Sequence, residues 1–482
     1  MSTSVARSAA APGIRVSGST PRNQLRQSFR ARDGVALIVS NVIGVGIFTT
    51  PAIVAQLVPH PGAMLGVWLT GGVLALAGAL SYAQLGRRWP AAGGEYIYLS
   101  NAYGPAAGFL SGWTSLIAGF SGAVAACAVA LVIYLGQYFP ALALERALVS
   151  IPLGLGSVAF SPRSLTAAAF IVAFAALHAC NLGAGKLTQN ALALLVLAIT
   201  VGFCVAGFAV GHGSWSHLHE SYGAFTAKNW LLALIPVMFT YSGWNAASYI
   251  SEEIYDTRRN IGRALLTGTA VIVAVYAILN TLYLYAVPLK AMQGAVNVGD
   301  ITAQALFGVG RNFVTPVLIL TLLGAISAMT IAGPRVYFAM ARDGVFLRSF
   351  GRTSPRFGTP GLAIVLQACW SVGLVLVGGF NAILMYTGFM LMLSSGAAVL
   401  GLFVARRNEL RATPSLWVKM IAPALFVIAA AAIVVNGVMQ APKTSLIGVA
   451  LIVAGLPVFF WSRRSWGSQL AVQAQPAAPE LK

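Results

Sequence analysis

Long apolar runs recur along the whole chain, and no other feature constrains its fold as much. Runs of ~20 residues or more, enough to cross the hydrocarbon layer as helix, fall at about 33–57, 62–86, 104–135, 164–183, 187–210, 229–251, 263–287, 313–341, 360–377, 381–405, 416–437 and 444–461. Lipid offers backbone amides no partner, so only helices and closed barrels span it, and runs of this length belong to helices. The sequence therefore predicts an all-α membrane protein with twelve transmembrane helices. Only 9% of residues are charged and the mean hydropathy is +0.80, against about 25% charged in soluble domains.

The net charge of +19 invites a nucleic-acid reading. The cations are too dispersed for a basic face, and their placement has a topological reason. With the N-terminus in the cytoplasm, 24 of the 30 Lys and Arg fall inside. Outside remain Arg146, Arg163, Lys228, Lys290, Arg311 and Lys443. A wrong helix count would scramble this bias, so the positive-inside rule supports twelve helices with both termini cytoplasmic. No nucleic-acid partner is needed. Residues 1–32 carry six arginines and no apolar h-region, which excludes an ordinary signal peptide. That composition suits an organelle transit peptide or a disordered basic cytoplasmic tail, and the tail is the expectation. A second disordered tail is expected over 465–482. Between them, 33–411 form the core and 412–464 two peripheral helices. Cys127, Cys180, Cys204 and Cys369 all lie in apolar runs, so neither a disulfide nor a metal site is suggested.

The first run is interrupted by Ser40-Asn41-Val42-Ile43-Gly44-Val45-Gly46-Ile47-Phe48. Each glycine costs about 1 kcal/mol of helix propensity relative to alanine, so a break here should line a protected cavity. Phe239-Thr240-Tyr241-Ser242-Gly243-Trp244-Asn245 interrupts the sixth run at a similar depth. Paired broken helices in two halves of a membrane chain point to a transporter's binding site. Helices 1–5 (about 33–210) and 6–10 (about 229–405) make halves of similar length, entering the membrane from opposite sides as an inverted repeat. Unwinding at Gly44-Val45-Gly46 would present N–H groups and a positive dipole end to a carboxylate. The carbonyls ending the first half-helix would suit an ammonium. The bland alternative is that both glycines are packing sites. Asn245 must be hydrogen-bonded or face a cavity; Phe239 reads as a gate or as core packing.

Acidic residues are scarce in the membrane interior. Glu95 sits where helix 3 begins, and Glu252-Glu253 close helix 6 beside Arg258 and Arg259. These glutamates read either as interfacial ion pairs or as an inner gate that switches partners. His212, His217 and His219 suit a solvated outer loop better than a metal site, and His178 a hydrogen-bonded packing role. No catalytic constellation or nucleotide motif appears, so neither an enzyme nor a cofactor is suggested.

Several stretches resemble the amino acid–polyamine–organocation (APC) superfamily of permeases. Gly44-Val45-Gly46-Ile47-Phe48 is similar to its G-S-G-I-F motif. Ser81-Tyr82-Ala83-Gln84-Leu85-Gly86, followed by Trp89-Pro90-Ala91-Ala92-Gly93-Gly94-Glu95-Tyr96-Ile97-Tyr98-Leu99, resembles its Y-A-E-L-G…P-x-x-G-G-x-Y-x-Y-L signature. Tyr241-Ser242-Gly243-Trp244-Asn245, with Glu252-Glu253 and Arg259-Asn260, resembles helix 6 of the L-type amino acid transporter branch. Arg335-Val336-Tyr337-Phe338-Ala339-Met340-Ala341-Arg342-Asp343-Gly344 resembles the family's end of helix 8. The resemblance implies a LeuT-like 5+5 inverted repeat plus two peripheral helices, moving an amino acid by alternating access. It places the substrate on Ile43, Gly44, Val45 and Gly46, with Phe239 as aromatic gate. Ser242 and Asn245 would line the side-chain pocket, opposite Ser121 or Gly122.

Three departures matter. Val45 replaces a serine, Gln84 replaces a glutamate, and Val196 stands where many relatives carry a helix-5 lysine that substitutes for sodium. The last favours exchange or facilitated transport over lysine-based proton coupling. The outer loop between helices 3 and 4 lacks the cysteine that ties animal relatives to a heavy chain, so no such disulfide-linked partner is implied. Scarce carboxylates favour neutral amino acids over a cationic amino acid or polyamine antiporter. A membrane-embedded sensor is the alternative from another class. The oligomeric state is not legible, and the localisation expected is the plasma membrane, a bacterial inner membrane.

Overall fold

The computed structural model describes residues 25–152, 157–378, 380–405, 415–440 and 442–462. Arg406, Arg407, Arg411, the tail expected over 465–482 and most of the tail expected over 1–32 lie outside them. The first broken span comprises α1 (Ala31–Val42) and α2 (Gly46–Leu57), bent by 52°. Then come α3 (Pro61–Arg88), α4 (Glu95–Tyr103), α5 (Pro105–Thr114) and α6 (Phe120–Leu135), the last two joined by a π turn at Ser115–Gly119. Helices α7 (Pro162–Cys180) and α8 (Leu182–Val210) follow. The second broken span is α9 (Ala227–Thr240) and a 3-10 segment, Ala246–Glu253. The long α10 (Thr257–Ala286) leads through short α11 (Leu289–Met292) and α12 (Val298–Phe307) to α13 (Arg311–Arg342). Last come α14 (Gly361–Val377), α15 (Phe380–Ala405), α16 (Ser415–Gln440) and α17 (Pro442–Val453).

Among the described residues, eight helices are long and apolar enough to cross a membrane, and the bent pair α1–α2 makes a ninth when counted as one span. Ala227–Thr240, Gly361–Val377 and Met390–Ala405 are shorter apolar helices. The chain is thus a multi-pass, predominantly helical membrane protein. One departure from all-α is a small antiparallel ladder between α6 and α7, β1 (Val149–Pro152) on β2 (Ser157–Phe160). Leu187, Leu194 and Val205 of α8 are more than 60% exposed, as expected of faces solvated by lipid rather than water.

Helix starts follow local chemistry. Asn181 accepts the Ala184 N–H at α8, Thr226 the Asn229 N–H at α9, and Ser161 the Ser164 N–H at α7, satisfying donors that helix geometry strands. Residues 25–30, expected within a disordered tail, are docked. Leu25 and Phe29 are buried, and the N–H groups of Ser28 and Phe29 both donate to the Glu253 carbonyl. This closes one end of the bundle, the Phe29 end. The two broken spans lie together at the centre, wrapped by α3, α8, α10 and α13. Helix α16 packs outside them on α15 and α3, with Phe426 edge-on to Trp244 at 5.4 Å.

Candidate functional site

The first break is real and short. Helix α1 stops at Val42, α2 starts at Gly46, and Ile43 is extended. Among the described residues, the N–H groups of Gly44 and Val45 meet no acceptor. They stand beside the positive end of α2, as a carboxylate site requires. The last carbonyls of α1 are less free than the sequence suggested. The Tyr276 hydroxyl of α10 donates to the Val42 carbonyl at 2.7 Å and reaches the Thr240 carbonyl at 3.4 Å. One side chain thus caps both breaks. Nothing in the sequence pattern around Tyr276 marks it for this.

In the second break, Gly243 adopts φ +102°, open to glycine and strained for other residues. A Cβ there would lie 2.6 Å from Asn41 Nδ2, so the two breaks touch at this point. Thr240 ties α9 to α2, its Oγ1 lying 2.8 Å from Thr50 Oγ1. Gly46 faces the same threonine, with a Cβ position 3.1 Å from Thr240 Oγ1. The Phe239 carbonyl, expected to face an amine, accepts the Ser242 N–H at 3.0 Å within the turn.

A cavity of about 230 Å³ opens where the breaks meet. Of the residues anticipated from sequence, Gly46, Phe239, Ser242 and Asn245 line it, joined by Asn41 and Val42. Ile43 is fully buried in the core, and Gly44 and Val45 stand behind the lining at partial exposure. Ser121 and Gly122 do not line it. Ser121 is buried and its carbonyl accepts the Ser371 hydroxyl at 3.0 Å. Gly119, Phe120, Ala123, Ala126 and Cys127 form that wall instead. The cause is the π turn at Ser115–Gly119, which widens one turn and rotates the face that α6 presents. Phe239 is 54% exposed and borders the cavity. Among the described residues, no charged side chain borders it.

Glu252 and Glu253 do not pair with Arg258 and Arg259, as sequence proximity suggested. Arg335 of α13 holds Glu253 through Nε–Oε1 at 2.8 Å and Nη2–Oε2 at 3.1 Å, with both side chains buried. Arg342 holds Glu252 at 2.7 and 2.8 Å. Just past α13, Asp343 accepts the Tyr96 hydroxyl at 2.7 Å. Burial raises the Asp343 carboxyl above its ordinary value, opposed by that hydroxyl and by Arg342. These contacts lock the Phe29 end. Nor is Glu95 at an interface. It is 5% exposed and accepts both the Tyr82 hydroxyl at 2.7 Å and the Asn245 amide at 2.5 Å. Gly93 and Gly94, both at positive φ, let this loop press against Tyr249, where a Gly94 Cβ would come within 2.6 Å of the ring.

Other expectations have simple outcomes. Lys186 donates to the Ser28 carbonyl at the Phe29 end, and Val196 is buried. His178 bonds Ser327 Oγ at 2.9 Å as a packing residue. His212 and His217 bond the carbonyls of Leu306 and Tyr285. No His, Cys, Asp or Glu cluster able to hold a metal occurs among the described residues.

Broken helices meeting around a central cavity in a multi-pass bundle define a membrane transporter of the permease class. The amino acid permease family model matches residues 33–461, nearly the whole chain, and the chain belongs to that family. It is similar to the mouse Asc-type amino acid transporter 1, 27% identical over 92% of this chain and 82% of that protein. It is also similar to the human b(0,+)-type amino acid transporter 1, 27% identical over 89% of this chain and 86% of that one. The human large neutral amino acids transporter small subunit 2 is 28% identical over 88% of this chain and 78% of its own length.

Proposed function

We propose that the chain carries amino acids, neutral ones foremost, across a cell membrane by alternating access. One observation carries this reading: the cavity at the junction of both breaks has an uncharged wall and stands next to unpartnered backbone donors. Gly44 and Val45 N–H groups with the α2 dipole take the α-carboxylate. No hydroxyl assists them, because Val45 replaces the serine of relatives. The Ile43–Gly46 backbone and the carbonyls near Phe239 take the amine, and Ser242 and Asn245 bound the side chain. The cavity is smaller than the ~300–1,000 Å³ of drug-sized pockets and suits a single metabolite. The relatives, amino acid transporters that include a large neutral type, agree with this reading.

In the same reading the nine long spans and three shorter apolar helices make twelve crossings. The two central breaks mark a five-plus-five inverted repeat with peripheral α16 and α17. The positive-inside count makes the Phe29 end cytoplasmic in a plasma membrane or bacterial inner membrane. Glu252 and Glu253 with their arginines then form an inner gate in its closed state, and Phe239 a thin outer gate. One relative is named a small subunit; this chain works without a disulfide-linked heavy chain, since residues 128–179 contain no cysteine. Counterflow in proteoliposomes tests the reading. Labelled neutral amino acids should enter vesicles preloaded with unlabelled ones. Entry of none, across the common twenty, would refute it.

A further inference from the structure

Among the described residues, Glu95 is the one buried carboxylate bonded to the cavity lining that the transport reading leaves unused. Glu252 and Glu253 each hold an arginine bidentately. Among the described residues, no Lys, Arg or His nitrogen lies within 4 Å of Glu95. Its two oxygens are unlike. Oε1 accepts both the Tyr82 hydroxyl and the Asn245 amide, whereas no described donor is within hydrogen-bond distance of Oε2 and the Tyr249 hydroxyl is the next group to face the carboxylate. The side chain borders a small cavity of about 10 Å³, room for about one water. A carboxylate taken out of water without a counter-cation costs several kcal/mol. Two neutral donors and the N-terminal end of α4, whose first residue is Glu95, offset part of that. A cation completes the compensation.

The identity of that cation follows from space and from Asn245. A lysine or arginine side chain of a substrate needs far more room than one water. A proton arriving through that water binds Oε2 and leaves both bonds to Oε1 in place. Asn245 belongs to the second break and lines the large cavity, and Gly119, Tyr249 and Leu391 border both cavities. The amide of Asn245 is held more tightly by a carboxylate than by a neutral acid, so protonation loosens a residue of the substrate wall. We propose that Glu95 binds a proton that moves with the amino acid, coupling transport to the proton gradient. This rests on the transport reading. It differs from the exchange expected from Val196, which concerned a lysine only.

Among the described residues, the side chains bonded to Glu95 or sharing its small cavity are uncharged. Helix α3 presents Tyr82, α4 presents Tyr98 edge-on to Tyr82, and the 3-10 segment presents Tyr249. Helices α5 and α15 contribute only uncharged lining. The nearby cations Arg335 and Arg342 are committed to Glu253 and Glu252, and Glu252 also accepts the Ala92 N–H in the loop before Glu95.

The test uses the full-length protein in proteoliposomes holding a pH-sensitive dye, with labelled L-alanine, L-serine, L-leucine and L-arginine as probes. Entry of a neutral probe should acidify the lumen. A lumen one pH unit more alkaline than the bath should accumulate that probe up to about tenfold. Glu95→Gln should still show counterflow but lose both acidification and gradient-driven accumulation, and Glu95→Asp should keep them. Wild-type counterflow without acidification would overturn the proposal, as would acidification by Glu95→Gln equal to wild type. Arginine counterflow that falls tenfold or more in Glu95→Gln while alanine counterflow persists, with no proton movement, would assign the site to a cationic side chain instead. Absence of counterflow for every probe would remove the transport reading and this inference together.

Discussion

Alanine at Gly243 separates two reasons for a glycine at the second break. At φ +102° an L-residue is strained by about 1–3 kcal/mol. The added Cβ would also sit 2.6 Å from Asn41 Nδ2 and 3.0 Å from the Asn41 carbonyl oxygen. Such crowding adds about 1–3 kcal/mol, so the expected loss is about 2–6 kcal/mol. Two other glycines calibrate the terms. Gly294 has φ +79° with nothing within 4 Å of a built Cβ, so its alanine variant reports the dihedral cost alone. Gly202 lies in α8 with open space around it, and its alanine variant should gain up to about 1 kcal/mol of helix propensity. Thermal unfolding of the three purified variants in one detergent should rank Gly202→Ala at or above wild type, then Gly294→Ala, then Gly243→Ala. Adding Asn41→Ala should rescue Gly243→Ala only in part, because the Asn41 carbonyl stays in place. A Gly243→Ala protein as stable as Gly294→Ala would show that the breaks are not held by close approach.

Tyr276→Phe keeps the ring but leaves the buried Val42 carbonyl without its hydroxyl donor, a loss of about 1–3 kcal/mol; the melting temperature should fall, and an unchanged value would refute the capping role. Arg335→Met leaves the Glu253 charge buried and alone, costing about 3–5 kcal/mol, whereas Arg335→Met with Glu253→Leu should recover most of it. Equal stability of the two would contradict the pairing. Gly46→Ala should lower counterflow by crowding Thr240, and Thr240→Ala in the same chain should restore part of it. Gly46→Leu should abolish counterflow while the protein still purifies as a monodisperse species, and full activity in that variant would count against the site.

What the sequence made legible follows from what lipid and glycine impose. Hydrocarbon forces runs of fixed length, so a multi-pass helical membrane protein could be read directly, and a glycine pair inside the first run exposed the break at residues 43–45. The break at 241–245 was legible from the small and polar residues around its single Gly243, and Gly46, Phe239, Ser242 and Asn245 do line one cavity. Side-chain partners between distant helices stayed hidden. Glu253 could equally have paired with Arg258, and only the fold brings Arg335, 82 positions away, against it. Ser121 and Gly122 were misplaced because a π turn leaves no pattern in a uniformly apolar stretch. Glu95 read as an edge residue because it stands ahead of the third apolar run, where helix 3 begins. The positive φ of Gly93 and Gly94 instead folds it inward, a geometry that glycine permits but does not announce.

The cross-bonds also decide which pieces can move together. On one side of the breaks, Thr50 of α2 bonds Thr240 of α9. On the other, the approach to α1 is tied to the 3-10 segment, with Phe29 bridging Ile254 and the Tyr255 N–H donating to the Phe29 carbonyl. The two broken spans are therefore bonded to each other on both sides of Ile43–Val45 and Tyr241–Asn245. Rotation about those linkers would separate one end of the bundle while leaving both pairs intact. The bonds it must break are the ones that lock the Phe29 end to α13, Glu253 to Arg335 and Glu252 to Arg342. Glu95 is bonded to Asn245 at the end of the second linker, so this carboxylate bears on the same linker that lines the cavity.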